Sequence, residues 1–457
     1  MVDVVSVNTM SNGQAILSAE QRVDDEFRPR SSAAVGLLLG LAAATPGVAS
    51  LVPSLGIRPW HVFVLVALVI TVVDAPDQRL RRLRVTALDI SVLVYASAFL
   101  LVEYFNAGDL GFRLEPAAAL SPFLMLAGFY SARLAVSSLS SARTLLIAFG
   151  LPAVPIALIS ALQIWSPSVN EVLLRIAPSS GLEGRLVDGR LIRATGFVGH
   201  WTGLGFYFCV VLAAACTALV LFLRAGRRPP VSVQCILAAS ALGAVSSLTI
   251  SVVATALVVG VATVFAVGAK VGRIAALVAL CGLLYFQFGE QLSDRVDQQT
   301  TRFSSVYVPS WVPNTIAYRW EIWVEQTIPA IEERMLTGWG TNIYSSATRA
   351  DRPSILRWTS PESQWFGSAV ASGVVVTALL ALALLVALRM ISRGACEAGG
   401  RWRIPMVALL VSAITASLTV PVFTNRGLPI GIWILFGVVV AVGAVCSKED
   451  SSDFSKG

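Results

Sequence analysis

Residues 374–388, VVVTALLALALLVAL, decide the fold. They leave no polar face at the 3.6-residue period of a helix and none at the two-residue period of a strand, so every side is apolar. Residues 33–44 have the same character. In a chain of 457 residues that is 56% hydrophobic and only 13% charged, such segments have lipid around them. Similar runs of about 17 to 25 residues recur from Ser32 nearly to the C-terminus, each able to cross about 30 Å of hydrocarbon as a helix. A membrane barrel would instead need segments of roughly ten residues alternating in polarity. A soluble enzyme is excluded, and the expected fold is an all-α, polytopic membrane bundle.

Twelve spans are expected, at 32–52, 59–73, 85–102, 116–135, 144–165, 201–223, 231–248, 252–268, 272–289, 363–388, 404–422 and 428–446. With a cytoplasmic N-terminus, the inner connections carry Arg79, Arg81, Arg82 and Arg84; Arg133 and Arg143; Arg224, Arg227 and Arg228; Lys270 and Arg273; and Arg389, Arg393, Arg401 and Arg403. The short outer connections carry only Arg58, Arg113 and Arg426. This excess of basic residues on one side fixes the topology. The chain accordingly divides into a cytoplasmic tail (1–31), nine spans (32–289) that enclose an outer loop at 166–199, a large extracytoplasmic loop (290–362), three spans (363–446) and a second cytoplasmic tail (447–457). The expected location is the cytoplasmic, or inner, membrane.

The formal net charge of +7 expresses this topology, since the basic residues are scattered over inner turns beside anionic lipid; no nucleic-acid partner is expected. Cys209, Cys216, Cys235, Cys281 and Cys446 lie in or at the ends of spans and Cys396 in an inner connection, so no disulfide is expected. The two histidines, His61 and His200, are far apart in sequence, so no metal site is expected. The polar N-terminal residues read as a disordered tail, and they lack the pattern of a cleaved signal.

Chemistry concentrates in the outer loops. The first carries Arg175, Arg185, Arg190 and Arg193, then passes through Gly196 and Gly199 to His200 and Trp201 at a span entrance. Guanidinium groups at a membrane surface suit a phosphate-bearing partner, because they are permanently charged and donate as a fork. Pairing with Glu171, Glu183, Asp188 and lipid headgroups is the plainer reading for Arg175, Arg185 and Arg190. Arg193 stands apart because it lies directly at the membrane entry. In the second loop Trp320, Trp323, Val324, Thr327, Ile328 and Ile331 recur at helical spacing, which describes a lateral amphipathic helix on the membrane surface. Pro329 should kink or divide it near its end. Arg319 starts that helix. Glu362, at the entrance of the tenth span, is a candidate general base or a partner in an ion pair.

Together these residues resemble a family. Arg193-x-x-Gly196-Phe197, Arg319-Trp320-x-x-Trp323, Leu336-Thr337-Gly338-Trp339-Gly340, and Glu362-Ser363 with Gly373 eleven residues beyond Glu362 are similar, in order and placement, to the O-antigen ligase and polymerase superfamily of bacterial envelope glycosyltransferases. The resemblance covers the chain from Arg193 to the last span. It implies transfer of a glycan from a polyprenyl diphosphate carrier to an acceptor glycan or lipid, on the outer face of the cytoplasmic membrane, without metal or cofactor. Membrane lipids are further partners, and a chain-length regulator is compatible with it. It also implies that Arg193 and Arg319 hold the diphosphate and that Glu362 is catalytic; His200, Arg190 and Arg185 are further candidates for contacting substrate from their own place in the first outer loop. Ligases carry a histidine where this chain has Glu362, which favours a polymerase over a ligase. Trp201-Thr202 and Ser251-Val252 also depart from the common pattern. A transporter of lipid-linked sugar or another anionic solute is the competing class, but the span interiors are almost free of charge, Asp89 excepted.

Overall fold

The computed structural model describes residues 29–74, 85–111, 114, 116–268, 270–300, 314–344, 356, 361–396, 400–423 and 428–454. Among them the regular elements are helices, no strand forms, and the single bridge joins Val52 and Ile57. Five segments are long and apolar enough to cross a membrane: Ala87–Asp109, Leu139–Trp165, Trp201–Arg224, Gln364–Cys396 and Pro429–Cys446. Shorter apolar helices accompany them at Ser31–Ala44, Pro59–Asp74, Val231–Ser246 and Ile250–Ala266. Large apolar side chains such as Val69, Val73, Leu93, Phe105 and Leu385 face outward, a surface that a bilayer would cover.

In chain order the principal helices are α1 (Pro29–Ala44), α2 (Pro59–Asp74), α3 (Ala87–Asp109), α4 (Ser121–Ala135), α5 (Leu139–Gly150), α6 (Ala153–Trp165), α7 (Pro167–Ile176), α8 (Ser180–Val187), α9 (Trp201–Arg224), α10 (Val231–Ser246), α11 (Ile250–Ala266), α12 (Val271–Thr300), α13 (Asn314–Ile322), α14 (Ile328–Glu333), α15 (Gln364–Cys396), α16 (Ile404–Ser417) and α17 (Leu428–Phe454). Helix α9 is the core: 83% of its most apolar window is buried, against 28% for α3, so α9 is enclosed by protein while α3 lies outside. Around α9 pack α5, α10, α11, α16 and α17; α1 lies on α5 and α2, α4 on α17, and α3 on α15. Being apolar all round, α9 can be enclosed by its neighbours without burying an unpaired polar face.

The structure differs from the sequence expectation at several places. The expected span 144–165 falls within the segment Leu139–Trp165 but is divided into α5 and α6 at Pro152, which offers no N–H and whose ring crowds the preceding turn. The expected loop 166–199 contains α7 and α8. Helix α12 runs about three turns past the expected span end at 289, and α17 continues through 447–454, expected to be tail. The expected tail at 1–31 lies outside the described residues apart from 29–31, which open α1. The lateral helix is present as α13 and α14, but the break falls one turn before Pro329: residues 323–327 form a π-helical turn. Pro329 displaces the carbonyl four residues earlier, so the preceding turn widens; Ile328 N–H donates to Trp323 O, and Thr327 Oγ1 donates to Ile322 O at 3.1 Å. Trp320, Val324 and Ile328 are exposed, whereas Ile322, Thr327 and Ala330 turn into the protein.

Charged groups inside the helices have partners. Asp89 of α3 is buried, and accepts from Arg133 at 2.7 Å, from Tyr130 at 2.8 Å and from Thr86 N–H at 2.6 Å, which ties α3 to α4. At the other end of α3, Glu103 accepts from Thr341 N–H at 3.0 Å and Thr341 Oγ1 at 2.8 Å, while Asn106 donates to Thr337 O at 2.7 Å. Arg334 pairs with Asp109 and covers the Trp339 ring.

The Leu336–Gly340 motif gains a structural meaning here. Helix α15 is interrupted at Gly373, whose φ of 80° and ψ of 167° suit glycine alone, and the carbonyls freed by the break accept from the motif. Trp339 N–H donates to Val370 O at 2.7 Å, Gly340 N–H to Ala371 O at 2.8 Å, and Val374 N–H to Met335 O at 2.8 Å. A Cβ on Gly373 would stand 2.1 Å from Leu336 O. Gly373→Ala is therefore expected to cost about 3 kcal/mol or more, from strain and overlap together. Gly108→Ala, with open space around its Cβ, is expected to be neutral. Thermal melting of both variants in detergent checks this; equal melting temperatures would contradict the plugged-helix reading.

Candidate functional site

Residues 194–199 lead into α9 over a buried amide network. Gln163, at the end of α6, accepts from Thr195 N–H at 3.0 Å and Gly196 N–H at 2.8 Å through Oε1. Its Nε2 donates to Asn170 Oδ1 at 3.1 Å, and Asn170 donates back to Gln163 O at 2.8 Å. Gly47 N–H donates to Phe197 O at 3.0 Å, bringing the segment that follows α1 against the loop. These bonds satisfy buried backbone groups that a loop at this depth would otherwise leave unpaired.

Arg193 emerges from this segment and is buried. Its Nε donates to Ser247 O at 3.2 Å and its guanidinium to Thr249 Oγ1 at 2.5 Å, both in the turn between α10 and α11. The same turn receives Ala194 N–H on Ser246 O. The guanidinium lies 4.6 Å from the centre of the Trp201 ring, and that of Arg185 lies 4.9 Å from the same ring, so one indole serves two cations. Arg185 also donates to Leu191 O at 2.9 Å. Trp201 opens α9, whose N-terminal end adds a partial positive charge.

From the other side come α13 and the start of α15. Arg319 holds Glu362 through Nε at 3.0 Å and a terminal nitrogen at 2.8 Å, with the arginine mostly shielded and the carboxylate 45% exposed. Trp323 Nε1 donates to Pro361 O at 2.6 Å, and its ring meets Phe366 at 5.1 Å. Gln364 is fixed by Ser368 at 2.7 Å and by Phe423 N–H at 2.7 Å.

Arg193, Arg185 and Arg319 are joined by Arg295 of α12, which sequence reasoning missed. Burial pushes the Arg193 guanidinium well below the ordinary arginine range, and repulsion from Arg295 and Arg185 adds to this, with Glu362 opposing. Arg295 is lowered by burial and by Arg319, again with Glu362 opposing. Arg185 is lowered by burial, Arg295 and Arg190. Tyr318 moves up, through burial and then Glu362 and Glu321. The guanidinium groups of Arg193, Arg295 and Arg319 thus share the influence of one carboxylate, and Arg185 adds a fourth positive charge beside Arg295, a setting for an anion carrying more than one negative charge.

The other candidates fall differently. His200 is half-buried, precedes the first turn of α9 and stacks on Trp201 at 4.7 Å. Arg190 forms an exposed pair with Asp188 at 3.0 Å. Gln163, Asn170, Ser247 and Thr249 carry no distinguishing sequence signal, whereas the spacing of Phe288, Gln291 and Arg295 along a helix prolonging an apolar run offers one for Arg295.

A cavity of about 340 Å³ lies beyond Pro361, lined mainly by apolar side chains including Tyr95, Phe99, Met125, Leu380, Phe423 and Trp433. Comparison with protein-family models gives no match, and no curated protein matches the chain.

Among the described residues the non-glycine positions with positive φ are Leu248, at 45°, and Glu362, at 49°. Leu248 lies in the turn that holds Arg193, and Glu362 faces Arg319, so the backbone strain sits at the site. Glu362→Gly relieves the strain that Glu362→Ala keeps, while both remove the carboxylate. The glycine variant is expected to be more stable than the alanine variant by about 1 kcal/mol, read as a higher melting temperature. An alanine variant as stable as the glycine variant would show that no strain is held there.

Proposed function

We propose that this protein is a multi-pass membrane glycosyltransferase that polymerises, or otherwise transfers, a glycan carried on polyprenyl diphosphate. In this reading the chain crosses the cytoplasmic membrane twelve times with both termini inside, and the 166–199 and 290–362 loops work on the outer face. The observation that carries the proposal is the meeting of Arg193, Arg319 and Glu362, which come from segments far apart in sequence. The resemblance assigns these same residues to the diphosphate and to catalysis.

The chemistry balances without a divalent ion. An acceptor hydroxyl attacks the anomeric carbon, the bond from that carbon to the diphosphate oxygen breaks, and the polyprenyl diphosphate leaves with the electron pair. Glu362 takes the hydroxyl proton. Negative charge grows on the leaving oxygens, and guanidinium groups already in place stabilise it more than they stabilise the ground state. A direct displacement of this kind inverts the anomeric centre.

In the free protein Glu362 is the counter-ion of Arg319. An arriving diphosphate competes for that guanidinium and releases the carboxylate to act as base, so donor binding and base activation are linked. The apolar cavity beyond Pro361 then suits the lipid part of a substrate better than a free sugar. Glu362, where ligases carry histidine, favours polymerisation; ligation to a lipid or wall acceptor is the alternative within the same chemistry. A transporter is less favoured, because Asp89 and Glu103, buried acids of the membrane-crossing helix α3, are bonded to structural partners.

Single Ala variants of Arg193, Arg319 and Glu362 are expected to lose long-chain glycan in cells while remaining in the membrane. Glycan extension by purified protein is expected to fall about 10²-fold or more in each. Wild-type chain lengths from all three would contradict the proposal. Glu362→Gln is expected to bind inorganic pyrophosphate a few-fold more tightly than wild type while losing turnover, since the competing charge is gone; weaker binding would contradict the exchange of partners at Arg319.

A further inference from the structure

We infer that Arg295 is a third diphosphate-contacting arginine, and that its guanidinium makes the site prefer a diphosphate to a single phosphate group. The inference rests on the anion-site reading above and goes beyond it, because the resemblance assigns no role to this position.

Helix α12 turns one face toward the protein. Phe288 is fully buried and meets the Trp165 ring at 5.4 Å, which fixes the inward face of the helix. Gln291 and Arg295 follow on that face at spacings of three and four residues. Their exposure agrees: Gln291 and Arg295 are half-buried, whereas Ser293, Asp294, Val296 and Asp297 are exposed. The Arg295 Nε is shielded from solvent. A helix leaving a membrane gains little by turning a cation inward among other cations. Exposed positions lie one residue away on either side.

Its neighbours support the placement. Helix α12 packs against α13, which carries Arg319. Arg295 feels the charges of Arg319 and Glu362, and Arg193 and Arg185 feel its own, so it is within electrostatic reach of both the Trp201 pair and the Arg319–Glu362 pair. Two phosphate groups joined by one bridging oxygen present more acceptor oxygens than two guanidinium forks can engage. A central third fork engages both groups at once, whereas a single phosphate, free or in a lipid headgroup, is already satisfied by fewer donors.

The test measures binding of inorganic pyrophosphate and of orthophosphate to full-length protein in nanodiscs of neutral lipid. Arg295→Gln is expected to weaken pyrophosphate about 10-fold or more, as loss of a charge-assisted bond implies, and orthophosphate much less, so that the preference collapses. Arg295→Lys keeps the charge and loses the fork, and is expected to fall between. Should the Gln variant fail to fold, the Lys variant decides: native melting with wild-type pyrophosphate affinity overturns the inference. Val296→Ala, exposed on the same helix, is expected to bind as wild type. If Arg295→Gln retains full affinity and preference while Arg193→Ala and Arg319→Ala lose pyrophosphate, the inference on Arg295 fails and the anion site stands. If wild type binds no pyrophosphate, or anionic phospholipid in the nanodisc displaces it as well as pyrophosphate itself does, the anion-site reading fails and takes this inference with it.

Discussion

Keeping several permanent cations together in a poorly solvated place is the constraint around which this molecule is arranged. Two guanidinium charges about 7 Å apart repel by on the order of 2 kcal/mol at an effective dielectric near 20, and burial of one of them adds a desolvation cost. Arg193 meets both penalties. Its compensation comes from fixed neutral partners: the Ser247 carbonyl, the Thr249 hydroxyl and the face of Trp201. Glu362 acts on Arg193, Arg295 and Arg319 alike. In the proposed function this excess of positive charge serves an anion, since much of the site's reorganisation was completed during folding.

The surrounding architecture follows from that need. Helix α9 is enclosed on all sides and so delivers Trp201 at a fixed height. The turn between α10 and α11 accepts a strained Leu248 in order to aim two oxygens at Arg193. On the opposite side the break in α15 at Gly373 is filled by the 336–340 segment, which in turn is tied to α3 through Glu103 and Asn106. The start of α15 is thereby immobilised between Trp323 and Gln364, and Glu362 is presented in a left-handed conformation that a relaxed helix entrance would not adopt.

Hydropathy was a good guide to where helices lie and a poor one to how they end. The runs that became α9, α10 and α11 were legible because burying helices of 16 to 24 mostly apolar residues leaves a chain few alternatives. The same scale reports transfer free energy and says nothing of hydrogen bonds. It therefore missed the interruption at Pro152, the helices α7 and α8 within a polar loop, and the extension of α12 that carries Arg295. Arg193 and Glu362 could be singled out in the sequence by residue type and position at span entrances, and Arg319 by its place at the start of the lateral helix. Their mutual approach could not, nor could the Gln163 network, because both depend on contacts between segments tens of residues apart. Gly338 and Gly373 show the limit most clearly: each reads as a loose turn or helix breaker, and only packing reveals that the two glycines make room for one another's backbone.

The central claim is that a cluster of arginines and one carboxylate move a glycan from a lipid diphosphate to an acceptor hydroxyl. It is tested most directly by incubating purified protein, in the presence of a chelator, with a polyprenyl diphosphate-linked oligosaccharide, and by determining the anomeric configuration of the product. The account predicts elongated glycan, release of polyprenyl diphosphate in equal amount and inversion at the new linkage. A product with retained configuration, or unchanged substrate from protein that binds pyrophosphate and is fully folded, would contradict it.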